Sequence, residues 1–415
     1  MGNLLKDDYV ERGTGYDSFK QAVEEITACT KMIQINTDMF GKNDGLYLPI
    51  KYDANNHILL TENSRHVPIN FNHANTAIAD NEMEELMNEL IDSSGMILRY
   101  NGSNYYFSEK AFFTLKERVG FKSTAIAIKS IERNAFIEKI MEIPDVWNLC
   151  VRTDNSKKPF KKVFSVCTHN YGYIPQTMLI EIIDELIKGT PMGTGIVADW
   201  SIDQDLTEVI IEFPEVENEI TTVYGVPNPF KPCIRLTTSD TGKSMFRVEG
   251  IWKCGQSYTV FSEGFVRHSP KVANKKTIMK RIENKIFPDY TCLPERLVEL
   301  MGIFVTEGKD PEGDKAIVES YLKKINQAIA MKKTLASEAM CNKVISLLLN
   351  DFDYTKKITA YDIVLRYLSM ADRLVGVEKT SLKKMESICG KVPYLNIWDN
   401  NSSSAATLED VFLSA

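Results

Sequence analysis

The chain has 415 residues, of which 44% are hydrophobic and 25% are charged, and its formal net charge is −7. This composition is typical of an ordinary globular protein, excludes a disordered or fibrous chain, and leaves room for two or three domains. The acidic excess argues against a protein whose whole surface follows nucleic acid, although a local basic patch is compatible with it.

Segments that would export the chain or anchor it in a membrane are not predicted. The first residues, MGNLLKDDYVERG, lack the apolar core of a signal peptide, and no apolar run approaches the ~20 residues of a membrane span. The eight cysteines are scattered singly without a C-x-x-C pair, so neither a zinc ribbon nor a thioredoxin-type motif is indicated. We therefore expect a cytoplasmic protein with buried thiols and no membrane partner.

Residues 1–145 are predicted to form an N-terminal α/β portion. Apolar residues at helical spacing predict a helix from Tyr16 to about Met32, and two short strands, GLYLPIKYD and HILLTEN, follow it. An Asn-rich loop then holds His66 and His73. Because neither histidine has a cysteine or carboxylate at metal-ligand spacing, we expect no metal there.

A helix, a hairpin and two further helices complete this portion. The helix starts near Asn81, and the hairpin of MILRY and NYYFS turns at Asn101 and Gly102, the signal for a type I′ turn. Ser108 is placed to cap the next helix, and a last helix is predicted from about Thr124 to Met141.

Residues 146–270 are predicted to form a central sheet domain. A helix, NYGYIPQTMLIEIIDELIKG, separates the first strand, KVFSVCT, from a run of later strands. One helix among five or six strands indicates an α+β fold, with a central mixed, mainly antiparallel sheet and a crossing helix. Residues 271–398 are predicted to be a helical C-terminal region, and residues 399–415 a flexible tail.

Four patterns that suggest chemistry have simpler explanations. The GKS at residues 242–244 lacks the first glycine of a phosphate-binding loop and precedes a strand, so a hairpin turn explains it. The glycines of KGTPMGTG lie between a helix and a strand, the reverse of the Rossmann order. Cys167 lies on a strand predicted to be buried, which favours a core role over a reactive pair with His169. The acidic run at residues 199–219 has no repeating ligand pattern, so we predict no catalytic residue, no cofactor and no metal.

A basic run after the central strands is the strongest binding signal. Between Arg267 and Lys285, seven Lys and Arg accompany a single acid, Glu283, and the rings of Tyr258, Phe261 and Phe265 lie nearby in the sequence. Cations that hold phosphates beside rings that stack on bases are typical of a single-stranded nucleic-acid groove. A solvated amphipathic helix beside ordinary strand aromatics is the alternative. The predicted nucleic-acid-binding residues are Arg235, Arg247, Lys253, Arg267, His268, Lys271, Lys275, Lys276, Lys280 and Arg281.

Three sequence blocks between about Ser108 and Pro270 carry a family resemblance. They are SEKAFFTLKERVGF, VRTDNSKKPFKKVFSVCTHNYGYIPQTMLIEIIDEL and FKPCIRLTTSDTGKSMFRVEGIWKCG…FVRHSP. The blocks resemble the phage- and plasmid-borne family catalogued as domain of unknown function 932, from whose pattern the chain departs at residues 168–170 and at Gln176. That family has no established activity, so the resemblance implies no catalytic residues. It implies a phage or mobile-element origin and a role in the cytoplasm of the infected cell.

We expect a non-enzymatic phage or mobile-element protein that binds nucleic acid, in particular single-stranded DNA, in replication, recombination or protection. The alternative is a protein-binding module that inhibits a host factor or assembles with itself, with the acidic segment from Asp199 to Glu219 as its working surface. An enzyme is the least supported of the three classes. The first hypothesis would gain most from a structure in which the helix cations and the strand cations converge on one concave face.

Overall fold

Two large β-sheets, each covered by helices, form the frame of the protein. The computed structural model of the chain describes residues 2–41, 45–63, 68–93, 95–121, 130–143, 145–169, 176–216, 230–241, 246–255, 257–260, 266–268, 275–335, 337–370, 374 and 379–398. Within these residues the protein has the predicted α+β fold, with mixed and antiparallel sheets and a set of C-terminal helices.

The strands and helices are numbered here in chain order. The strands are β1 Val10–Gly13, β2 Thr30–Asn36, β3 Leu46–Asp53, β4 Ile58–Asn63, β5 Pro68–Asn72, β6 Met96–Tyr100, β7 Ser103–Phe107, β8 Val146–Thr153, β9 Lys161–Thr168, β10 Ile196–Asp203, β11 Thr207–Glu212, β12 Lys231–Thr238, β13 Phe246–Cys254, β14 Ser257–Val260, β15 Val266–His268, β16 Phe304–Thr306 and β17 Ile358–Thr359. The helices are α1 Tyr16–Cys29, α2 Asp80–Asp92, α3 Glu109–Arg118, α4 Ser130–Met141, α5 Gln176–Lys188, α6 Lys275–Arg281, α7 Cys292–Met301, α8 Pro311–Ala328, α9 Met331–Leu335, α10 Glu338–Leu349, α11 Ala360–Leu368 and α12 Lys379–Cys389. A π-helical turn, Ile282–Ile286, and a short helical turn, Phe287–Asp289, continue α6, and 3-10 turns occupy Gly2–Leu5, Thr37–Phe40, Val392–Tyr394 and Asn396–Trp398.

The first sheet has the strand order β2-β8-β9-β7-β6-β3-β4-β5 and is antiparallel except between β7 and β9. Helices α3 and α4 cover one face, where Trp147 and Leu149 on β8 are buried with Phe112 and Phe136. Helix α2 covers the other face through a separate cluster that includes Leu86. Each fully buried large apolar side chain of this kind contributes about 1.5–3 kcal/mol.

The second sheet has the strand order β1-β10-β11-β12-β13-β14, with β15 paired to β13, and all its pairs are antiparallel. Helices α1, α5 and α6 and the C-terminal helices share one apolar core with the inner face of this sheet. On β12 the inner face carries Ile234 and Leu236. Helix α12 packs at β14 and supplies charged partners to the outer face.

Local sequence signals give the expected structures. Asn101 and Gly102 both have positive φ, 48° and 71°, as the type I′ turn between β6 and β7 requires. The Ser108 hydroxyl caps α3 by accepting a hydrogen bond from the Ala111 N–H at 3.0 Å. The prediction of a strand rather than a helix after residues 242–244 is also confirmed, since β13 starts at Phe246.

The sequence analysis missed the short strands β1, β16 and β17, and it also missed three longer strands. Strand β2 starts at Thr30, inside the segment predicted to be the end of the first helix, and β5 lies in the predicted Asn-rich loop. Strand β8 was treated as a connection because VWNLCVRT has no clear alternation. Its residues are buried on both faces of the sheet, which explains the continuous apolar pattern.

The predicted boundary between residues 145 and 146 does not coincide with the division between the sheets. Strands β8 and β9 pair with β2 and β7 and so complete the first sheet. Apart from β1, which pairs with β10 in the second sheet, the strands change from the first sheet to the second between Thr168 and Ile196.

The C-terminal region contains helices, as predicted, together with the short strand pair β16–β17. The predicted flexible tail, residues 399–415, lies outside the described residues. None of the described helices is both long enough and apolar enough to cross a membrane.

Candidate nucleic-acid interface

The basic helix, defined as residues 275–286, comprises α6 and the π-helical turn that continues it. Ile278, Ile282 and Ile286 are fully buried in the core beneath the second sheet. Their four-residue spacing places them on one side of the helix and leaves the charged positions on the other. The exposed cations are Lys276, Lys280, Arg281 and Lys285.

These four cations differ from Lys275 in their charge partners. Lys275 Nζ lies 2.6 Å from Glu185 Oε1 on α5, and the hydrogen bond to Glu185 raises the pKa of Lys275. Lys275 therefore links two helices. None of the four exposed cations makes an ion pair with any residue that the structure describes. Lys276, Lys280 and Arg281 are therefore predicted positions that the structure leaves accessible to an anionic ligand, and Lys285 adds a fourth cation that was not among the predicted binding residues.

The predicted strand cations lie on the other side of the second sheet. On β12 and β13, Arg235, Arg247 and Lys253 alternate with residues of the inner core such as Ile234 and Val248. Successive side chains of a strand point to opposite faces, and the basic helix packs on the inner face. The structure therefore does not bring the helix cations and the strand cations together on one surface.

Arg235 is a buried structural cation, with 3% of its surface exposed. Its Nη2 lies 2.7 Å from Glu386 Oε2 on α12, and its Nη1 lies 3.4 Å from Glu249 Oε2 on β13. Burial would lower the pKa of Arg235, but the charges of Glu386, Glu208 and Glu249 raise it instead. Arg235 was predicted to contact nucleic acid, and its burial leaves no surface with which it could do so.

Lys253 is also paired within the protein. Its Nζ lies 2.7 Å from Glu212 Oε1, and Lys231 approaches the other oxygen of the same carboxylate at 3.6 Å. Tyr258, one of the rings predicted to stack on bases, lies beside Lys253 and Arg235 on this outer face. The outer face is thus occupied by internal charge pairs rather than by an open cationic groove.

The side chains of the remaining predicted positions lie outside the described part of the chain. Lys271, Phe261 and Phe265 lie outside the described residues. Arg267 and His268 lie on β15, where their backbones pair with Arg247 and Phe246, but their side chains are outside the described part.

The acidic segment from Asp199 to Glu219 does not form one exposed surface in its described part. Asp205 pairs with Lys110 at 2.9 Å, Glu208 pairs with Lys383, and Glu212 binds two lysines as described above. Glu217 and Glu219 lie outside the described residues. Three of the six described carboxylates of this segment therefore have lysine partners within the protein, whereas Asp199 and Glu215 are exposed.

Among the described residues, Cys167 and His169 do not form the reactive pair considered from the sequence. Cys167 is buried, and its Sγ approaches the Thr241 carbonyl oxygen at 3.7 Å, whereas His169 Nδ1 lies 2.6 Å from Asp145 Oδ1. His73 is buried in an aromatic cluster and lies 3.2 Å from the Tyr106 hydroxyl, while His66 lies outside the described residues. No group of three or more potential metal ligands occurs among the residues described.

The pair of His169 and Asp145 was missed by the sequence analysis because 24 residues separate the two side chains. It lies in a depression of about 680 Å³ that is also lined by Gln34, Asn36 and Thr37. Burial opposes ionisation of Asp145, but hydrogen bonds from the Val146 N–H and from His169 give it a lowered pKa. The only hydroxyl among the described lining residues belongs to Thr37, which donates to the Ile143 carbonyl oxygen. No hydroxyl among the described lining residues is therefore activated by His169 as a nucleophile.

Charge is divided unevenly along the chain. Residues 271–398 contain 22 Lys and Arg against 16 Asp and Glu, a formal charge of +6, whereas residues 1–270 contain 27 against 37, a formal charge of −10. The basic helix lies near the start of residues 271–398, the positively charged part of the chain. A protein with a negative total charge can therefore still present a local positive surface.

Comparisons with known proteins identify no relative of the chain. No family model, no curated protein and no solved structure matches the chain. The resemblance to the family catalogued as domain of unknown function 932 stays a prediction from the sequence blocks.

Proposed function

We propose that the protein binds single-stranded nucleic acid, DNA in particular, through the exposed side of the basic helix. The observation that carries this proposal is that Lys276, Lys280, Arg281 and Lys285 are exposed and lack carboxylate partners among the described residues. Phosphates that replace the counterions of such cations release those counterions, and this release drives non-specific binding.

Four phosphate contacts support binding of modest strength. Non-specific complexes of this type have dissociation constants of about 10⁻⁴–10⁻⁶ M at physiological salt. The positive charge of residues 271–398 favours approach of a polyanion from this side. In the setting that the sequence resemblance implies, the complex would protect or present single-stranded DNA during replication or recombination of a phage or plasmid.

The protein-binding alternative has less support. It was assigned to the acidic segment, whose described carboxylates at Asp205, Glu208 and Glu212 pair with lysines of this chain. A partner would have to displace those lysines before it could use the same carboxylates.

Fluorescence anisotropy with a labelled single-stranded oligonucleotide tests the proposal. The test variant changes Lys276, Lys280, Arg281 and Lys285 to Glu. The control variant changes Lys323, Lys324, Lys356 and Lys357 to Glu, which reverses the same number of exposed charges in the same basic region. We expect the test variant to lose binding at low salt and the control variant to keep most of it.

Equal losses in the two variants would mean that total charge, not the basic helix, determines affinity, and would contradict the proposal. Absence of binding by the unmodified protein at low salt would contradict it as well. Far-ultraviolet circular dichroism of both variants checks that the helices remain folded.

A further inference from the structure

Two buried cations face each other across β8 and β9. Arg152 and Lys162 are direct partners in the antiparallel register, and their exposed fractions are 1% and 2%. Both approach the ring of Phe164, the Arg152 Cζ at 4.9 Å and the Lys162 Nζ at 5.6 Å from its centroid. Like charges directly opposite each other on neighbouring strands destabilise a sheet, so each cation needs a compensating anion.

Lys162 has its compensating anions. Its Nζ lies 2.7 Å from Glu89 Oε1 on α2 and 3.1 Å from Asp7 Oδ1. Burial raises the pKa of Glu89, and the charge of Lys162 opposes that rise. The ammonium group is therefore held by two carboxylates from outside its own strand.

Arg152 has no such partner in the described part of the chain. Its Nε and Nη1 are buried without a hydrogen bond, and no described carboxylate reaches it within ion-pair distance. A guanidinium keeps its proton in proteins, so it cannot escape this situation by becoming neutral. A buried, uncompensated charge is among the costliest features a fold can carry, and the contact with Phe164 offsets only part of that cost.

Further unsatisfied polar atoms occur close to Arg152. Asp240 and Gln176 are 4% and 2% exposed, and Asp240 Oδ1 and Gln176 Oε1 have no hydrogen-bond partner among the described residues. Gln176 Nε2 donates to Asp240 Oδ2 at 2.7 Å. Burial raises the pKa of Asp240, and the charge of Arg152 opposes the rise, which places the guanidinium within electrostatic range of the carboxyl group.

The start of helix α5 adds positive potential to these surroundings. Gln176 is the first residue of the 13-residue helix α5, whose N-terminal N–H groups carry a partial positive charge. Tyr9 and Cys29 line a pocket of about 550 Å³ whose lining does not include Arg152. Burial raises the pKa of both groups, and the charge of Arg152 opposes each rise. Glu11 and Glu25 also line this pocket, and Glu11 accepts a hydrogen bond from the Tyr9 hydroxyl.

We propose that Arg152 binds a small oxyanion, a phosphate or a carboxylate, at the junction of the two sheets, with Gln176 and Asp240 beside it. The oxyanion supplies the direct ion pair that no described carboxylate makes with Arg152. In its protonated form Asp240 donates a hydrogen bond to the ligand, and the N-terminus of α5 adds to the attraction. This site takes a small molecule and is separate from the proposed contact with nucleic acid on the basic helix.

Thermal unfolding with added ligands tests the site, with inorganic phosphate and acetate as separate probes at constant ionic strength. We expect one of the two to raise the Tm of the unmodified protein by about 1–2 °C when it is present at ten times its Kd. Arg152→Met should abolish that response. Because this variant removes an uncompensated charge, its Tm without ligand should equal or exceed that of the unmodified protein.

Lys162→Met is the matched control, since it removes an equally buried cation from the facing strand position. It should lower Tm without ligand, because Asp7 and Glu89 lose their partner. The proposal is overturned if neither probe shifts the Tm of the unmodified protein, or if Arg152→Met responds as strongly as the unmodified protein. A loss of Tm in Arg152→Met as large as that in Lys162→Met also overturns it, because Arg152 would then already be paired within the protein.

Discussion

Arg235 on β12 and Glu386 on α12 form a buried ion pair, with 2.7 Å between Nη2 and Oε2, although 151 residues separate them in the sequence. Their contact fixes α12 to the outer face of the second sheet. Lys383, one turn earlier on α12, pairs with Glu208 on β11 and strengthens the same attachment. An arginine that the sequence assigned to a binding surface thus holds the last helix of the fold.

Removal of this arginine should destabilise the protein strongly. Arg235→Met leaves the carboxylates of Glu386 and Glu249 without their cation, and breaking a buried pair in this way costs about 3–5 kcal/mol. Urea unfolding at pH 7 measures the loss. A loss below about 1 kcal/mol, the size typical of exposed pairs, would contradict the structural role of Arg235.

The loss in Arg235→Met should depend on pH. Burial raises the pKa of Glu386, and Arg235 opposes that rise, so removal of the arginine raises the pKa further. A group with a raised folded pKa binds more protons in the folded than in the unfolded state, and stability then increases as the pH falls. Unfolding at pH 7 and pH 5 should show a smaller deficit at pH 5. An equal deficit at both values would count against burial of Glu386.

His73 should make the protein sensitive to mild acid. Burial lowers the pKa of His73 from 6.5 to about 4, and the neighbouring charge of His57 contributes less. The unfolded chain therefore binds a proton between pH 6.5 and pH 4 that the folded chain does not bind. Stability is retained above pH 6.5 and falls by about 3 kcal/mol as the pH drops to about 4.

Denaturant unfolding between pH 7 and pH 4 in two variants isolates this effect. His73→Phe removes the titrating group, and the acid-dependent loss assigned to it should disappear. Tyr106→Phe removes the hydroxyl near His73 but keeps the imidazole buried, so the loss should remain. If His73→Phe leaves the pH dependence unchanged, the imidazole is not buried in neutral form.

The cysteines should differ sharply in reactivity. Cys292 is exposed at the start of α7, whereas the other seven cysteines are buried. Burial raises the pKa of Cys150 and that of Cys389 to about 12, which suppresses the reactive thiolate. Titration of the native protein with a disulfide reagent should detect one fast thiol, and Cys292→Ser should remove it. A second fast thiol would place one of the buried cysteines at the surface.

Short-range features of the fold were predictable because nearby residues determine them. The turn at Asn101 and Gly102 and the cap at Ser108 depend on the conformation or hydrogen bonds of a few adjacent residues. Strand β8 was not predictable in this way. It is covered on both faces, so its sequence shows neither the alternation of a half-buried strand nor the periodicity of a helix.

The candidate site was only partly predictable. The buried side of the basic helix follows directly from Ile278, Ile282 and Ile286. The alternation of Arg235 with Ile234 and Leu236 already indicates that the arginine points away from the apolar face on which that helix packs. The partners of Arg235 and the lack of a partner for Arg152 depend on contacts between distant segments, which spacing in the sequence does not encode.

The salt dependence of single-stranded DNA binding tests the central claim most directly. If the four exposed cations of the basic helix each neutralise a phosphate, a plot of log K against log salt should have a slope of about −3, since single strands give about −0.7 per phosphate contact. The variant with Glu at positions 276, 280, 281 and 285 should show no measurable binding between 50 and 200 mM salt. Over this range the affinity that comes from phosphate contacts falls steeply. A slope near zero for the unmodified protein, or the same slope and affinity in that variant, would contradict nucleic-acid binding by this helix.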